Sequence, residues 1–238
     1  MKKSLFVSSG KYLQIKNFVK PELCQKWQKR ILSDRKYWSP GFSGWTYGLA
    51  WYVLIEHGNL HLYHHQAKSL NQRIQKLPQY LEVMKSASRY LVGPQGQRDL
   101  PVRSRVQNLG PYWSLSGFHI NLNAGDGEIH ADYEGLSPYP EMLFHSKTRA
   151  YSAVLSLSVP DQGGGLFLWE KRHRADQPMK LSKKDKRYLS YEVGDLTLFD
   201  SFLYHQVEGS KSKKNFRITA VMHFLYREKP YPHWEYWF

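Results

Sequence analysis

From residue 102 onward, the hydrophobic residues of this chain come in short runs that are rich in β-branched and aromatic side chains. Glycine, proline, aspartate and lysine separate the runs, and short runs with such turn signals between them are typical of a β-sandwich or barrel. The predicted strands are Val102–Leu109, Ser116–Asn123, Ala150–Ser158, Gly165–Trp169, Tyr188–Val193, Leu196–Phe199, Phe202–Val207 and Phe216–Tyr226. This part of the chain is therefore predicted to form a jelly roll.

The first hundred residues follow the hydrophobic period of amphipathic helices. Pro21 stands where a first helical residue would, and Leu23 and Trp27 follow four positions apart, which places them on one helix face. Two further helices are predicted between residues 63 and 77 and between residues 79 and 91. A helical layer is therefore expected to precede the strands.

The two patterns together predict an α+β fold that is mainly β, in a single domain. Residues 101–238 are expected to form the double-stranded β-helix (jelly-roll) core, and residues 1–100 a helix-rich layer that buttresses it. A basic stretch, residues 170–187, is expected to be an insertion between two strands of the core. The length of 238 residues suits one domain.

A histidine and an aspartate two positions apart, His130 and Asp132, lie in the stretch Gly127–Tyr133. In an extended strand, side chains two apart project from the same face, so the imidazole and the carboxylate can bind one ion. They would be two thirds of the 2-His-1-carboxylate triad of non-haem Fe(II) oxygenases, which leaves coordination positions open. Alone, the pair also fits a polar loop, so a third ligand has to be found.

The candidate for the third ligand is His205, in a strand that follows Gly194-Asp195 in the sequence. His205 shares a strand face with Leu203 and Val207, so it points toward the apolar interior. A histidine on such a face is more often a hydrogen-bonded core residue than a ligand. The residues of the neighbouring strand are needed to distinguish these two interpretations.

That neighbouring strand, predicted from Phe216 onward, carries Arg217 and Thr219 on one face with Val221. An arginine inside a barrel needs an anionic partner, because a buried unpaired charge is very costly. A dicarboxylate cosubstrate would satisfy Arg217 by a bidentate, charge-assisted pair, with the Thr219 hydroxyl as a further donor. An internal salt bridge or a surface arginine is the alternative.

These motifs occur in the order His-x-Asp, a distant histidine, and Arg-x-Thr beginning twelve residues after it. In this order they resemble the Fe(II)/2-oxoglutarate-dependent oxygenases, and among these the prolyl-4-hydroxylase-like group. The strand at 151–158 with the glycines at 163–165 is similar to the same group, as is the stretch 194–208.

The resemblance implies Fe(II), 2-oxoglutarate and O2 as cofactor, cosubstrate and co-reactant. The implied iron ligands are His130, Asp132 and His205. The residues implied to contact 2-oxoglutarate are Arg217 and Thr219, at the distal carboxylate, and Asn121, with Asn123 as the alternative. Some relatives have a tyrosine at the position of Ser156, and serine is too short to make that contact directly.

The reaction that the resemblance implies is hydroxylation of an unactivated C–H bond, coupled to the conversion of 2-oxoglutarate and O2 into succinate and CO2. Because Asp132 occupies the carboxylate position, no place remains there for chloride, which argues against the related halogenases. Desaturation, demethylation and ring formation use the same iron centre and stay open.

A small molecule, such as an amino acid or a natural-product intermediate, is the predicted substrate class, because the chain is compact and has no peptide-binding module. The net charge of +14 does not by itself choose a partner; the basic insertion would attract an anionic molecule if it covered the pocket mouth, and a solvated loop is the alternative interpretation. Tyr133 and Trp169, next to strand ends, are expected to line its pocket. Hydroxylation of a protein or peptide side chain is the first alternative.

Two weaker alternatives remain. Nucleic-acid demethylases of this superfamily have a second arginine at the position of His223, so nucleic acid is disfavoured as a partner. A jelly-roll binding protein with a structural or vestigial metal site would have no activity at all.

The composition also bears on location and assembly. No apolar run approaches the roughly 18–20 residues needed to span a bilayer. The single cysteine, Cys24, fits a reducing cytosol, so we expect a cytoplasmic protein without a membrane partner. The aromatic tail, residues 231–238, is expected to pack on the helical layer or to form a homodimer contact.

Overall fold

A computed structural model describes residues 7–8, 10–41, 44–47, 60–104, 114–121, 125–132, 148–174, 178–211 and 216–238. The helices in these residues are α1 (Pro21–Ser33), α2 (Leu60–Ile74) and α3 (Tyr80–Ser86), with short 3-10 turns at Arg35–Tyr37, Ala87–Tyr90 and Lys183–Asp185. The strands are β1 (Tyr12–Ile15), β2 (Trp38–Gly41), β3 (Gly44–Tyr47), β4 (Val102–Ser104), β5 (Gly117–Asn121), β6 (Ala150–Ser158), β7 (Leu166–Arg172), β8 (Lys186–Leu189), β9 (Leu196–Asp200), β10 (Leu203–Val207), β11 (Arg217–Arg227) and β12 (His233–Trp237). None of the described helices is both long and apolar enough to cross a membrane.

The strands form two sheets that face each other. The larger sheet has the order β1-β9-β6-β11-β5-β3-β2, and β12 continues it by pairing with β11 and β4. The smaller sheet has the order β10-β7-β8. Val154 and Val221 of the larger sheet pack between the sheets against Leu166 and Leu168 of the smaller one. This arrangement confirms the predicted mainly β fold with a jelly-roll core.

The helices cover the outer face of the larger sheet. Trp27 of α1 and Tyr80 of α3 belong to one hydrophobic core with Ile218 and Met222 of β11. The rings of Trp27 and Tyr80 meet edge to face, with their centroids 5.1 Å apart. The indole N–H of Trp27 donates to the carbonyl oxygen of Pro78 at 2.9 Å, so its burial leaves no polar atom unsatisfied. The predicted helical layer is present.

The inner face of β11 carries polar residues. Val221 packs between the two sheets, and side chains of a strand alternate, so residues 217, 219 and 223 face the same space. Arg217, Thr219 and His223 are all buried there. The larger sheet thus presents an apolar face to the helices and a partly polar face to the smaller sheet.

The aromatic tail forms a strand of the larger sheet, which the sequence analysis did not foresee. Strand β12 pairs antiparallel with residues 223–227 of β11 and runs parallel to β4. Trp234 and Tyr236 join the main hydrophobic core. The tail therefore buries its rings within its own chain, and the homodimer contact stays a prediction.

Two further strands lie in an aromatic-rich segment of the N-terminal hundred residues, for which only a helix-rich layer was predicted. Strands β2 and β3 form a hairpin, and β3 pairs with β5 from Trp45↔Ile120 to Tyr47↔Phe118. Tyr47 is buried, and its hydroxyl donates to Oδ2 of Asp34 at 3.0 Å. The hairpin therefore extends the larger sheet beyond β5.

Part of the basic insertion is also regular structure. Strands β7 and β8 pair antiparallel, with Trp169 opposite Lys186. The insertion thus continues β7 to Arg172, supplies the first two residues of β8, and connects the two arms of a hairpin at the edge of the smaller sheet. The strand predicted at 188–193 begins and ends earlier, at Lys186 and Leu189.

Gly194 fixes how the N-terminal segment attaches to the larger sheet. Its backbone is left-handed (φ 93°), its N–H donates to the carbonyl of Ser156 at 2.8 Å, and its carbonyl accepts from the N–H of Val19 at 3.0 Å. A Cβ atom here would collide with the carbonyl oxygen of Val19. Gly96 is also left-handed (φ 81°), but nothing lies within 4 Å of the place that its Cβ would take.

We expect Gly194→Ala to lower the free energy of unfolding by about 3 kcal/mol, because a backbone collision adds to the left-handed strain. Gly96→Ala should lower it by only about 1 kcal/mol, the strain alone. Chemical denaturation followed by circular dichroism measures both variants. Equal losses would show that Val19 does not approach Gly194 as closely as the structure has it.

Candidate metal centre

The two histidines of the predicted triad lie opposite each other on neighbouring segments. The N–H of His130 donates to the carbonyl of His205 at 3.0 Å, and the N–H of His205 donates to the carbonyl of His130 at 2.8 Å. Their ring centroids are 4.2 Å apart. A reciprocal pair of backbone hydrogen bonds therefore brings the two imidazoles together.

Asp132 completes the cluster. Its Oδ1 lies 3.3 Å from Nε2 of His205 and 3.6 Å from Nε2 of His130. The ligand atoms of the three residues all lie within 4.8 Å of one another. Two imidazole nitrogens and one carboxylate oxygen are the donor set that binds Fe(II) with positions left open. The structure thus brings the three predicted ligands to one place.

A hydrogen bond to a backbone carbonyl orients each of the two imidazole rings, through the ring nitrogen that faces away from Asp132. Nδ1 of His130 lies 2.9 Å from the carbonyl oxygen of Glu128, and Nδ1 of His205 lies 3.1 Å from that of Leu203. A carbonyl oxygen only accepts, so each Nδ1 carries a proton. Nε2 is then the atom that each ring presents to a metal.

The Asp132 carboxyl favours the ionised form although it is largely enclosed. Burial alone would raise its pKa, but His205 beside it, then His130 and His223, outweigh that effect and hold the pKa well below its usual range. Metal binding needs the carboxylate, so no proton has to be displaced from this ligand near neutral pH.

Arg217 lies deep between the two sheets, and no ion pair joins it to a carboxylate of the described residues. Only 3% of its surface is exposed. Its Nη1 donates to Oδ1 of Asn121 at 3.1 Å, and the ring centre of Tyr191 lies 5.3 Å from its Cζ. Burial lowers the pKa of the guanidinium, and Tyr191 opposes that effect. An arginine stays charged even so, and the site therefore lacks an anion.

Several buried polar atoms around Arg217 have no hydrogen-bond partner among the described residues. They are Nε of Arg217, Oγ1 of Thr219, Oγ of Ser156, Oγ1 of Thr197 and the hydroxyl of Tyr191. Ser156 and Thr219 are register partners across β6 and β11, and the Tyr191 hydroxyl is near both Arg217 and Thr197. Unsatisfied buried polar atoms are rare in folded proteins and indicate a missing partner. One guanidinium ringed by hydroxyls fits the carboxylate end of 2-oxoglutarate.

Tyr191 and Thr197 are the residues of this cluster that the sequence analysis missed. Tyr191 lies on the turn between β8 and β9, and its side chain is close to Arg217 and to Thr197. A signal was present, because Tyr191 alternates with Leu189, and both side chains pack between the sheets.

The two residues predicted to line a substrate pocket have different outcomes. Tyr133 lies outside the described residues. Trp169 packs against Tyr204, on the face of β7 opposite to that of Leu168, whose register partner on β10 is His205. The Trp169 ring therefore points away from the three candidate metal ligands, and its role in a substrate pocket stays a prediction.

Solved structures of known proteins share this architecture. An N-substituted L-amino acid dioxygenase from Burkholderia ambifaria AMMD is similar over 95% of this chain and 86% of its own, at 13% sequence identity and a TM-score of 0.61. That dioxygenase in complex with alpha-KG is similar over 91% of this chain and 82% of its own, at 14% identity and a TM-score of 0.57. The chain has the jelly-roll fold of the 2-oxoglutarate oxygenases.

The resemblance to 2-oxoglutarate oxygenases that the sequence motifs indicated is thus confirmed at the level of the fold by the two Burkholderia structures. A prolyl-4-hydroxylase from Pseudomonas putida is similar over 91% of this chain and 92% of its own, at 16% identity and a TM-score of 0.45. No protein-family profile and no curated protein matches the sequence.

The cluster predicts a metal site that depends on each of its three ligands. We expect His205→Ala and Asp132→Ala to lower the affinity for Co(II) or Fe(II) at least about a hundredfold, because each removes a ligand. His65→Ala removes an exposed histidine of α2 and should leave the affinity unchanged. Calorimetric titration with Co(II) measures all of them, and a wild-type affinity in Asp132→Ala would exclude the carboxylate as a ligand.

Proposed function

We propose that this protein is an Fe(II)/2-oxoglutarate-dependent dioxygenase. The observation that carries the proposal is a three-ligand cluster combined with a buried arginine that has no counter-charge among the described residues. Either feature alone has a structural explanation, but together they supply a place for Fe(II) and a place for a dicarboxylate. The alpha-KG complex of the similar Burkholderia dioxygenase supports the same cosubstrate.

Three residues would hold the iron. They are His130, Asp132 and His205, and a donor set of two imidazoles and one carboxylate would leave coordination positions for other ligands. When bound, the iron with 2-oxoglutarate and O2 supplies the oxidation, in which 2-oxoglutarate becomes succinate and CO2 and one oxygen atom is inserted into a C–H bond.

Arg217 would orient 2-oxoglutarate by its distal carboxylate. A guanidinium pairs with a carboxylate through two parallel hydrogen bonds, and the Nε of Arg217 is one of the atoms that lack a partner. The hydroxyls of Thr219 and Tyr191 are placed to donate to the same group. Asn121 holds the guanidinium from its other side, through Nη1.

Apolar side chains between the sheets restrict the access of water to these groups. The ring of Phe199 lies 4.8 Å from the imidazole of His205, centroid to centroid. Leu168 and Val221 pack in the same cluster. Charge-assisted hydrogen bonds are stronger where water does not compete, so the carboxylate of a cosubstrate would be held firmly here.

We further propose hydroxylation of a small molecule, such as an amino acid or a natural-product intermediate. The similar Burkholderia structure is that of an amino acid dioxygenase, which supports this class, although a shared fold does not fix a substrate. The net charge of +14 would favour an anionic molecule.

Arg217→Met tests the cosubstrate site. We expect the affinity of the Fe(II)-loaded protein for 2-oxoglutarate to fall at least about a hundredfold, because a buried charge-assisted pair is lost, while Fe(II) binding stays. The measurement is the visible charge-transfer band that 2-oxoglutarate gives with Fe(II) without oxygen. Arg187→Met, which removes an exposed arginine paired with Glu170, is the matched control. If Arg217→Met kept the wild-type affinity for 2-oxoglutarate, Arg217 would not be the residue that binds its carboxylate.

Tyr191→Phe tests the residue that the sequence did not reveal. Loss of one hydroxyl donor should weaken 2-oxoglutarate binding about fivefold, the effect of a single hydrogen bond, with metal affinity unchanged. Tyr188→Phe is the control, since the Tyr188 hydroxyl donates to Glu208 instead. An unchanged charge-transfer titration in Tyr191→Phe would exclude this contact.

The experiment that identifies the substrate is incubation of the protein with Fe(II), 2-oxoglutarate, O2 and a metabolite extract. Mass spectrometry should detect a small molecule that gains one oxygen atom, with an equal amount of succinate. Oxidation of peptides or oligonucleotides, and of no small molecule, would assign one of those substrate classes instead. A wild-type protein that binds Fe(II) but not 2-oxoglutarate would be a metal-binding jelly-roll protein without this activity.

A further inference from the structure

The second carboxylate oxygen of Asp132 forms a hydrogen bond on the side that faces away from the two histidines. Its Oδ2 accepts a hydrogen bond from the Ser152 hydroxyl at 2.6 Å, whereas Oδ1 is the oxygen that faces His130 and His205. Ser152 lies on β6 and is completely buried. One oxygen of the carboxylate is thus directed at the metal position and the other at the larger sheet.

The Ser152 oxygen has two more neighbours, and both must donate to it. A serine hydroxyl has a single proton, and the short contact with Asp132 uses that proton. Nδ1 of His223 lies 3.2 Å from the Ser152 oxygen, and the hydroxyl of Ser201 lies 2.9 Å from it. His223 therefore carries a proton on Nδ1, and a chain of hydrogen bonds runs from His223 through Ser152 to Asp132.

The surrounding structure fixes the imidazole of His223. His223 is the register partner of Ser152 on β6 and of Trp237 on β12. The ring of Phe238 lies parallel to the imidazole, 6.4 Å away between centroids, and the ring of Trp237 lies 6.0 Å away. These neighbours limit rotation of the imidazole, so its Nδ1 stays directed at Ser152.

We propose that Ser152 and His223 are positioning residues that keep Asp132 a monodentate ligand. A carboxylate that bound the metal through both oxygens would take one more coordination position, which would then be lost to a chelating cosubstrate. Holding Oδ2 at Ser152 keeps that oxygen from the metal. The inference rests on the proposed function, since it matters only at a metal that must bind further ligands.

Ser152→Ala tests the role of the serine. We expect Co(II) affinity within about tenfold of wild type, but 2-oxoglutarate binding to the Co(II)-loaded protein at least about tenfold weaker. The visible spectrum of bound Co(II) should also change, because the carboxylate binds differently. Ser152→Thr keeps the hydroxyl and should restore both readouts. Ser158→Ala is the matched control, since the Ser158 hydroxyl on the same strand donates to the carbonyl of Phe216.

His223 is tested by the same measurements. His223→Phe removes the donor and should weaken 2-oxoglutarate binding in the same direction as Ser152→Ala. His223→Asn places an amide N–H near the position of Nδ1 and should restore most of the affinity. His233→Phe, at a buried histidine of β12 whose Nδ1 bonds to the carbonyl of Tyr231, controls for loss of an imidazole.

The outcomes separate this inference from the proposed function. Failure of the wild-type protein to bind Co(II) and 2-oxoglutarate would end the proposed function. If the wild type binds both, and folded Ser152→Ala has wild-type 2-oxoglutarate affinity and Co(II) spectrum, only the positioning role is overturned. Complete loss of Co(II) binding in Ser152→Ala would overturn it too, because the serine would then be needed for the metal rather than for its open positions.

Discussion

The buried charge of Arg217 is the constraint on which the site depends. Removing a guanidinium from water costs several kcal/mol, and the described residues offer it the neutral amide of Asn121 and the ring of Tyr191. The apolar core on the other face of the same sheet offsets that cost. A dicarboxylate that pairs with the arginine would recover part of it, so occupancy of the site and stability of the fold are linked.

The alternation of strand faces explains how one sheet carries both the apolar core and the buried polar site. It also explains why much of the site could be predicted. On β11, Ile218 packs under the helices, whereas Arg217 and Thr219 face the interior. A period of two is visible in the local sequence alone and directed His205 toward the interior, whereas the assignment of His130, Asp132 and His205 as ligands came from the resemblance carried by the order of the motifs. The helical layer was equally accessible from the helical period of its apolar residues.

Residues whose roles arise from contacts between distant segments could not be predicted in this way. Tyr191 and Thr197 belong to no motif, and although the alternation of Tyr191 with Leu189 marks it as inward-facing, the hydroxyls gain a role only because β9 and the turn before it lie beside Arg217. Strand β12 has only five residues, and although His233 to Tyr236 alternate between polar and apolar, so short a run becomes a strand through its pairing with β11 and β4. Trp169 was predicted to line a pocket because it lies near a strand end, whereas its alternation with Leu168 places it on the outer face of the smaller sheet.

The proposed metal ligands come from segments that are distant in the sequence and meet only in the folded protein. His130 is joined to His205 by backbone hydrogen bonds, and the N–H of Gly10 bonds the carboxylate of Asp200 across 190 positions of the chain. Closing such long loops costs conformational entropy before native contacts compensate, and chains with many such pairings fold slowly. The iron site is therefore expected to exist in the native state alone, and an ion present during refolding would stabilise the finished protein rather than guide the chain toward it.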